Sequence, residues 1–228
     1  MVSDFLSSVA ETADRNKRRL VIAFDEIGAI PRDRATGFSA AIRSIYSHHR
    51  AHMAIILSGA IDPLEMIDDL RISPFNIGTS IILRDFNLEE IQRLANHIGG
   101  AAAASDEIAR RLHDFTRGQP YLCQRLCQYL SEIAGEVEVP AVDAAVERLF
   151  SEETAHIIGL LRSLEAKPDL VKHLCRALAA QLRFSPAVNP VHFQLAHVIG
   201  IIAGDQPVCQ VRNPIYQRAL DEAGLCVR

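Results

Sequence analysis

The run LVIAFDEIG, residues 20–28, constrains the fold of this 228-residue chain more than any other segment. Five consecutive apolar residues rich in β-formers, bounded by Arg19 and Asp25, read as a buried parallel strand. A second such run, MAIILSG at 53–59, lies beyond a helical stretch at 36–52. Strand, helix, strand in that order predicts a parallel α/β sheet, because parallel strands need a long crossover. TSIIL, residues 79–83, reads as a third short strand, and a short helix from Pro63 to about Leu70 precedes it. An amphipathic helix over 2–16 comes before the first strand, with Phe5, Leu6, Val9 and Ala13 on one stripe.

From about Asn87 the pattern becomes wholly helical. Asn87 with Glu90 three residues on is a capping-box start, and that helix ends at Gly99-Gly100. SDEIARRLHDFT, 105–116, opens another, and Gly118-Gln119-Pro120 breaks it. Helices follow over 121–134 and 139–150. From about Ser151, two helices (152–165 and 168–182) lead to a short helix and a β-hairpin around Gly204-Asp205. IYQRALDEAG, 215–224, closes the chain as a helix. Helices followed by a hairpin predict a small winged-helix-like domain. The chain thus divides near 86 and 150, into 1–86, 87–150 and 151–228.

Composition narrows the function classes. A hydrophobic content of 49% with a net charge of −4 excludes a disordered chain and leaves no basic field for a dedicated nucleic-acid binder. No apolar run reaches the roughly 18–20 residues of a membrane span. Asp4, Glu11 and Asp14 deny the first residues the character of a signal peptide. The expectation is a soluble, cytoplasmic protein. Its cysteines, at 123, 127, 175, 209 and 226, match no disulfide or zinc spacing and read as reduced buried thiols. His48, His49 and His52 lack the Glu of HExxH and read as a polar helix face. RNKRR, 15–19, reads as a complement to a helix C-terminus.

Asp25 and Glu26 are the strongest chemical signal. In open α/β sheets ligands sit beyond the carboxyl ends of the strands. One carboxylate there can hold Mg²⁺, and a second can orient or activate a water for attack on a phosphate. The same pair also serves as a plain helix cap, and the residues alone leave both readings open. Ser58 and Gly59 end the next strand, either as a phosphate-sensing position or as a turn.

Taken together, FDEIGAI, LSGAIDPLEMIDDLRISPFNIGTSIILRDFNLEEIQRL, TRGQPYLCQRLCQYL and VRNPIYQRAL resemble the bacterial AAA-like ATPase domain proteins. These belong to the STAND-type and archaeal-ATPase branch of the AAA+ P-loop NTPases. The resemblance covers residues 5–228. It implies a partial P-loop NTPase parallel sheet, then a helical lid, then a winged-helix-like domain. Asp25 and Glu26 match the Walker B acids, for metal coordination and water activation, and Ser58 matches the sensor position. Gly118, Gln119 and Pro120 match a lid motif that closes over nucleotide, where Gly permits close backbone approach and Pro fixes a helix start. Arg71 matches the place of an arginine finger, with a surface role as the plainer reading. Residues 74–78 match a signature linking the last helix to the last strand of the core, and Asn213, Pro214 and Tyr216 match a C-terminal signature. The implied cofactors are ATP and Mg²⁺.

One departure matters. The phosphate-cradling loop GxxxxGK[ST] does not occur in these 228 residues; Gly28 is the first glycine, and Lys167 and Lys172 follow no Gly-rich turn. The expectation is an N-terminally truncated, C-terminal portion of a nucleotide-switched regulatory ATPase, with little or no hydrolysis of its own. About three strands would leave a sheet edge or face under-covered and favour self-association. A protein partner or a fused effector domain is implied. The alternative is a non-catalytic module whose winged-helix-like part contacts protein or nucleic acid. Arg212, Arg218 and His197 supply too little charge to favour nucleic acid.

Overall fold

The computed structural model describes residues 2–49, 53–59, 78–79, 81, 83–98, 106–133, 136–152, 155–204 and 207–226. The chain forms two compact units, 1–82 and 83–228.

The first unit holds α1 (Val2–Arg15), β1 (Leu20–Phe24), α2 (Arg32–His49) and β2 (Met53–Leu57). The two strands pair in parallel, with Leu20 opposite Met53 and Phe24 opposite Leu57. Leu20, Ile22, Phe24, Ile55 and Leu57 pack with Met53 against Leu6 and Ala10 of α1 and Ile42 and Ile45 of α2. Val21 and Ile56 point the other way and are 61% and 53% exposed. Burial therefore alternates along both strands, although their sequences are continuously apolar. Both helices belong to the cluster on one side, and a continuous apolar run cannot report that. The stripe of α1 is also rotated from the expected one: Leu6 and Ala10 are buried, and Phe5 is 66% exposed. At the end of α1, Asn16 Nδ2 donates to the Thr12 carbonyl at 2.8 Å and Arg15 Nε to the Glu11 carbonyl at 3.3 Å. The basic run thus begins by satisfying the orphan carbonyls of a helix terminus. His49 does not lie on a simple polar face: its Nδ1 meets Asp14 Oδ2 at 2.5 Å and it is part-buried between α2 and α1. His48 bonds the Ser44 carbonyl of its own helix, and His52 lies outside the described residues.

The expected third strand is not formed at Thr79, Ile81 or Leu83, which are irregular; Ser80 and Ile82 lie outside the described residues. Among the described residues the sheet has two strands. The short helix expected from Pro63 falls outside them as well.

The second unit is helical: α3 (Leu88–Ile98), α4 (Asp106–Thr116), α5 (Pro120–Ser131), α6 (Val139–Ser151), α7 (Ala155–Glu165), α8 (Pro168–Ala179), α9 (Pro190–Ile199) and α10 (Pro214–Glu222). Five of these carry Pro in their first two positions, where its missing N–H costs nothing and its fixed φ suits the helix. The capping box forms as expected. Asn87 N donates to Glu90 Oε2 at 2.8 Å and Glu90 N to Asn87 Oδ1 at 2.9 Å. One continuous core runs through the unit, with Ile91, Leu112, Leu126, Leu149, Leu164, Leu174 and Tyr216 among its buried members.

Two expectations fail here. No described residue between 200 and 213 is in a strand, so the hairpin ladder is not made. The reason is in the backbone donors. Arg212 N reaches the Ile201 carbonyl at 2.8 Å, but Cys209 N turns to the Leu182 carbonyl instead, and Pro207 has no donor. The thiols are not all reduced either. Cys175 and Cys226 form a disulfide across 51 residues, with Cα atoms 5.2 Å apart, while Cys123, Cys127 and Cys209 are free and buried. Packing of α8 beside the C-terminal turn makes that pair, and residue spacing alone carries no trace of it.

Candidate functional site

The carboxyl ends of β1 and β2 meet in a small polar cluster. Pairing of Phe24 with Leu57 sets Asp25 beside Ser58. Ser58 N donates to the Phe24 carbonyl at 2.9 Å and Ile27 N to the Ser58 carbonyl at 3.0 Å, which extends the pairing past the strands. Ser58 Oγ then donates to Asp25 Oδ1 at 2.6 Å, and Glu26 N donates to the same oxygen at 2.9 Å. Ser58 first, and the Glu26 N–H second, hold the Asp25 carboxyl below its ordinary value of 3.8. Asp25 is ionised at neutral pH, and its Oδ2 has no hydrogen-bond partner among the described residues. Gly59 follows so closely that a Cβ there would lie 3.2 Å from Ile27 N.

Glu26 is held at φ 52°, ψ 42°, in the left-handed region. A non-glycine residue pays about 1–2 kcal/mol for that conformation, and such strain clusters at functional sites. Its side chain makes no cap bond to the 3₁₀ turn Ile27–Ala29 that follows. The helix-cap reading of the acidic pair therefore does not describe Glu26, whose carboxylate is left exposed.

Gly118, Gln119 and Pro120 lie in the second unit, at the turn between α4 and α5. Gly118 has φ +85°, and a Cβ there would sit 2.0 Å from the Phe86 carbonyl oxygen. Phe86 N donates to the Gly118 carbonyl at 2.8 Å. Gln119 Oε1 caps α5 by accepting from Leu122 N at 2.6 Å, and Pro120 opens the helix. The helix start read from the motif is present, and the close backbone approach at Gly118 is to Phe86.

Beside this turn sits a cluster that sequence reasoning missed. Asp85 makes a two-point ion pair with Arg212 across 127 residues. His156 Nε2 meets the Tyr216 hydroxyl at 2.6 Å, and its ring stacks on Tyr121 with centroids 4.2 Å apart. Burial first, and the Arg212 charge second, lower the His156 pKa from 6.5. Asn213 Oδ1 caps α10 by accepting from Tyr216 N at 2.9 Å. The runs DFNLEE and VRNPIYQ, which carry the resemblance, contain Asp85 and Arg212, but nothing in the sequence pairs them, and His156 stands in no such run.

The chain matches the family model of the AAA-like domain over residues 13–222. The chain belongs to the AAA-like domain family. Its fold is similar to that of a solved Walker-type ATPase of Pyrococcus abyssi, with a TM-score of 0.62 over 95% of this chain and 66% of that one, at 14% identity. An uncharacterized WD repeat-containing protein of Synechocystis sp. is 32% identical over 123 residues, which are 50% of this AAA-like chain and 10% of that protein. The chain therefore spans a tenth of the one relative and about two thirds of the other. No helix among the described residues is long and apolar enough to cross a membrane.

The structure brings Asp25, Glu26 and Ser58 of the AAA-like chain together, and Gly118, Gln119 and Pro120 together in the other unit. Arg71 and residues 74–77 lie outside the described residues; Gly78 is described and exposed. No group of three or more His, Cys, Asp or Glu among the described residues is placed to hold a metal ion.

Proposed function

We propose that this AAA-like chain carries the metal-holding and water-orienting side of an ATP site and acts as a nucleotide-dependent switch of the STAND type. The observation that carries this is the contact of Ser58 Oγ with Asp25 Oδ1, at the carboxyl ends of adjacent parallel strands. It leaves one oxygen of an ionised carboxylate uncommitted. The donor set fits Mg²⁺, which takes one or two carboxylates plus phosphate oxygens rather than a protein cage. Bound there, the ion supplies neutralisation of phosphate charge. Asp25 holds it, Ser58 fixes the carboxylate and senses the phosphate side, and the exposed Glu26 carboxylate orients or activates the attacking water.

Gly118, Gln119 and Pro120 form the lid turn in this reading; Arg71 holds the place of an arginine finger toward a neighbouring subunit's nucleotide, a surface role being the plainer reading. Residues 151–228 form a winged-helix-like part: α7, α8 and α9, then a returning segment held by Cys209 N on Leu182 and Arg212 N on Ile201. The match inside a WD repeat-containing protein supports an AAA-like module that works on a fused effector or a protein partner. The face bearing Val21 and Ile56 is exposed, which supports self-association as the second partnership. Nucleic acid is not the favoured partner.

These residues include no phosphate-cradling loop, so tight ATP binding and turnover require one supplied alongside them. Calorimetry with MgATP on the 228-residue chain is expected to show no low-micromolar binding, and such binding would overturn that dependence. Paramagnetic Mn²⁺ is expected to broaden the amide signals of Asp25, Glu26 and Ser58 selectively, and Asp25→Asn to abolish this. Broadening that survives the substitution removes Asp25 as the ligand. In a protein that joins these residues to a GxxxxGK[ST] loop, Glu26→Gln slows hydrolysis and spares binding; unchanged turnover denies Glu26 its role.

A further inference from the structure

A cavity of about 450 Å³ opens between α8, the segment 208–213 and the start of α10. Its lining residues belong to the second unit, whereas Asp25, Glu26 and Ser58 belong to the first. Its volume is that of a small-molecule site. The lining combines apolar walls, Leu178 and Val211 among them, with two guanidinium groups, Arg117 and Arg212, and includes no acidic side chain among the described residues.

The two arginines differ. Arg212 is neutralised by Asp85. Arg117 has no ion-pair partner among the described residues, and it is exposed. Arg117 also sits at φ 50°, just past the end of α4, where Gly or Asn is the unstrained choice. Asn213, whose Oδ1 accepts from Tyr216 N, is 2% exposed and closes the floor of the cavity. Gln217, one turn into α10, adds a further amide to the lining.

We propose that this cavity binds a small organic anion, a carboxylate or phosphate monoester head on a compact apolar body. Arg117 holds the head by a charge-assisted hydrogen bond, the second N–H of the Gln217 amide, whose first donates to Asp221 Oδ1, orients it, and Leu178 and Val211 cover the body.

The test is a titration of the intact chain with benzoate, phenyl phosphate and neutral benzyl alcohol, followed by amide NMR. Both anions are expected to give saturable shifts at Arg117, Val211, Asn213 and Gln217, and benzyl alcohol to bind about tenfold or more weakly. Whichever anion binds more tightly assigns the head group. Arg117→Gly removes the charge at a backbone conformation that glycine accepts, so it folds, and it is expected to weaken both anions about tenfold. Arg117→Lys retains most of the affinity. Absence of saturable shifts, equal binding of benzyl alcohol, or an Arg117→Gly chain that binds as the parent does overturns the proposal.

Discussion

Gly118→Ala is the substitution most tightly specified by the structure. An alanine at φ +85° bears a conformational cost of about 1–2 kcal/mol. Its Cβ would stand 2.0 Å from the Phe86 oxygen and 2.9 Å from the Phe86 nitrogen and carbonyl carbon. Those are backbone atoms, so no rotamer change relieves the overlap and the strand of chain at 85–87 must move. Movement breaks the Phe86 N–H to Gly118 carbonyl bond, a loss of about 0.5–1.5 kcal/mol. It also disturbs the neighbouring Asp85–Arg212 pair; both side chains are 21% exposed, and the pair adds on the order of 1 kcal/mol after screening. Reduced freedom of the unfolded chain returns about 0.4–1 kcal/mol. The net expectation is about 3 kcal/mol, or roughly a hundredfold in the unfolding equilibrium of the second unit. Urea dependence of hydrogen exchange at the buried amides of α5 measures it without interference from the first unit. Gly204→Ala is the control: φ there is +153° and no atom of the described residues beyond its chain neighbours lies within 4 Å of the added Cβ, so the conformational cost alone applies. Equal losses for the two substitutions would refute backbone contact as the reason for glycine at 118.

Three further outcomes are expected. Replacing Cys175 and Cys226 by serine opens a 51-residue loop and lowers stability by about 2–4 kcal/mol in a denaturant melt, whereas reduction without effect would show that the bridge constrains nothing. His156 has a folded-state pKa below its unfolded value, so its contribution to stability is full above 6.5 and is lost as pH falls from there through the lowered value. Melts of the second unit should therefore weaken over that acid-side window, and His156→Gln should flatten the dependence; an unchanged slope would remove His156 as its source. Ser58→Ala should raise the Asp25 pKa toward 3.8, read from the carboxyl ¹³C shift, and a fixed value would mean the Glu26 N–H alone sets it.

Local elements were legible because their signals act within a turn or a strand. LVIAF and MAIIL form β1 and β2 at the residues read from them, since a β-rich apolar run between polar residues has few other fates. Asn87 with Glu90 and Pro120 start helices as read, while the caps that Gln119 and Asn213 supply to Leu122 N and Tyr216 N were seen only in the structure. Glycine at 118 was legible as a close approach, but its contact, Phe86, was not.

By itself, the sequence determined the β1–helix–β2 order, the acidic pair beyond β1, the capped helix start at Asn87 and the family to which the chain belongs. Tertiary structure decided which residues meet. Parallel pairing joins Ser58 to Asp25 across 33 positions, and helix packing joins Asp85 to Arg212 and Cys175 to Cys226. It also decided that α1 and α2 cluster on one side of β1 and β2, that Cys209 N leaves the hairpin for Leu182, and that Arg117 comes to line a cavity with Asn213. The physical reason is range. Propensity and capping act over a few residues along the chain, while burial and long-range pairing depend on where crossovers and helix faces bring distant segments together.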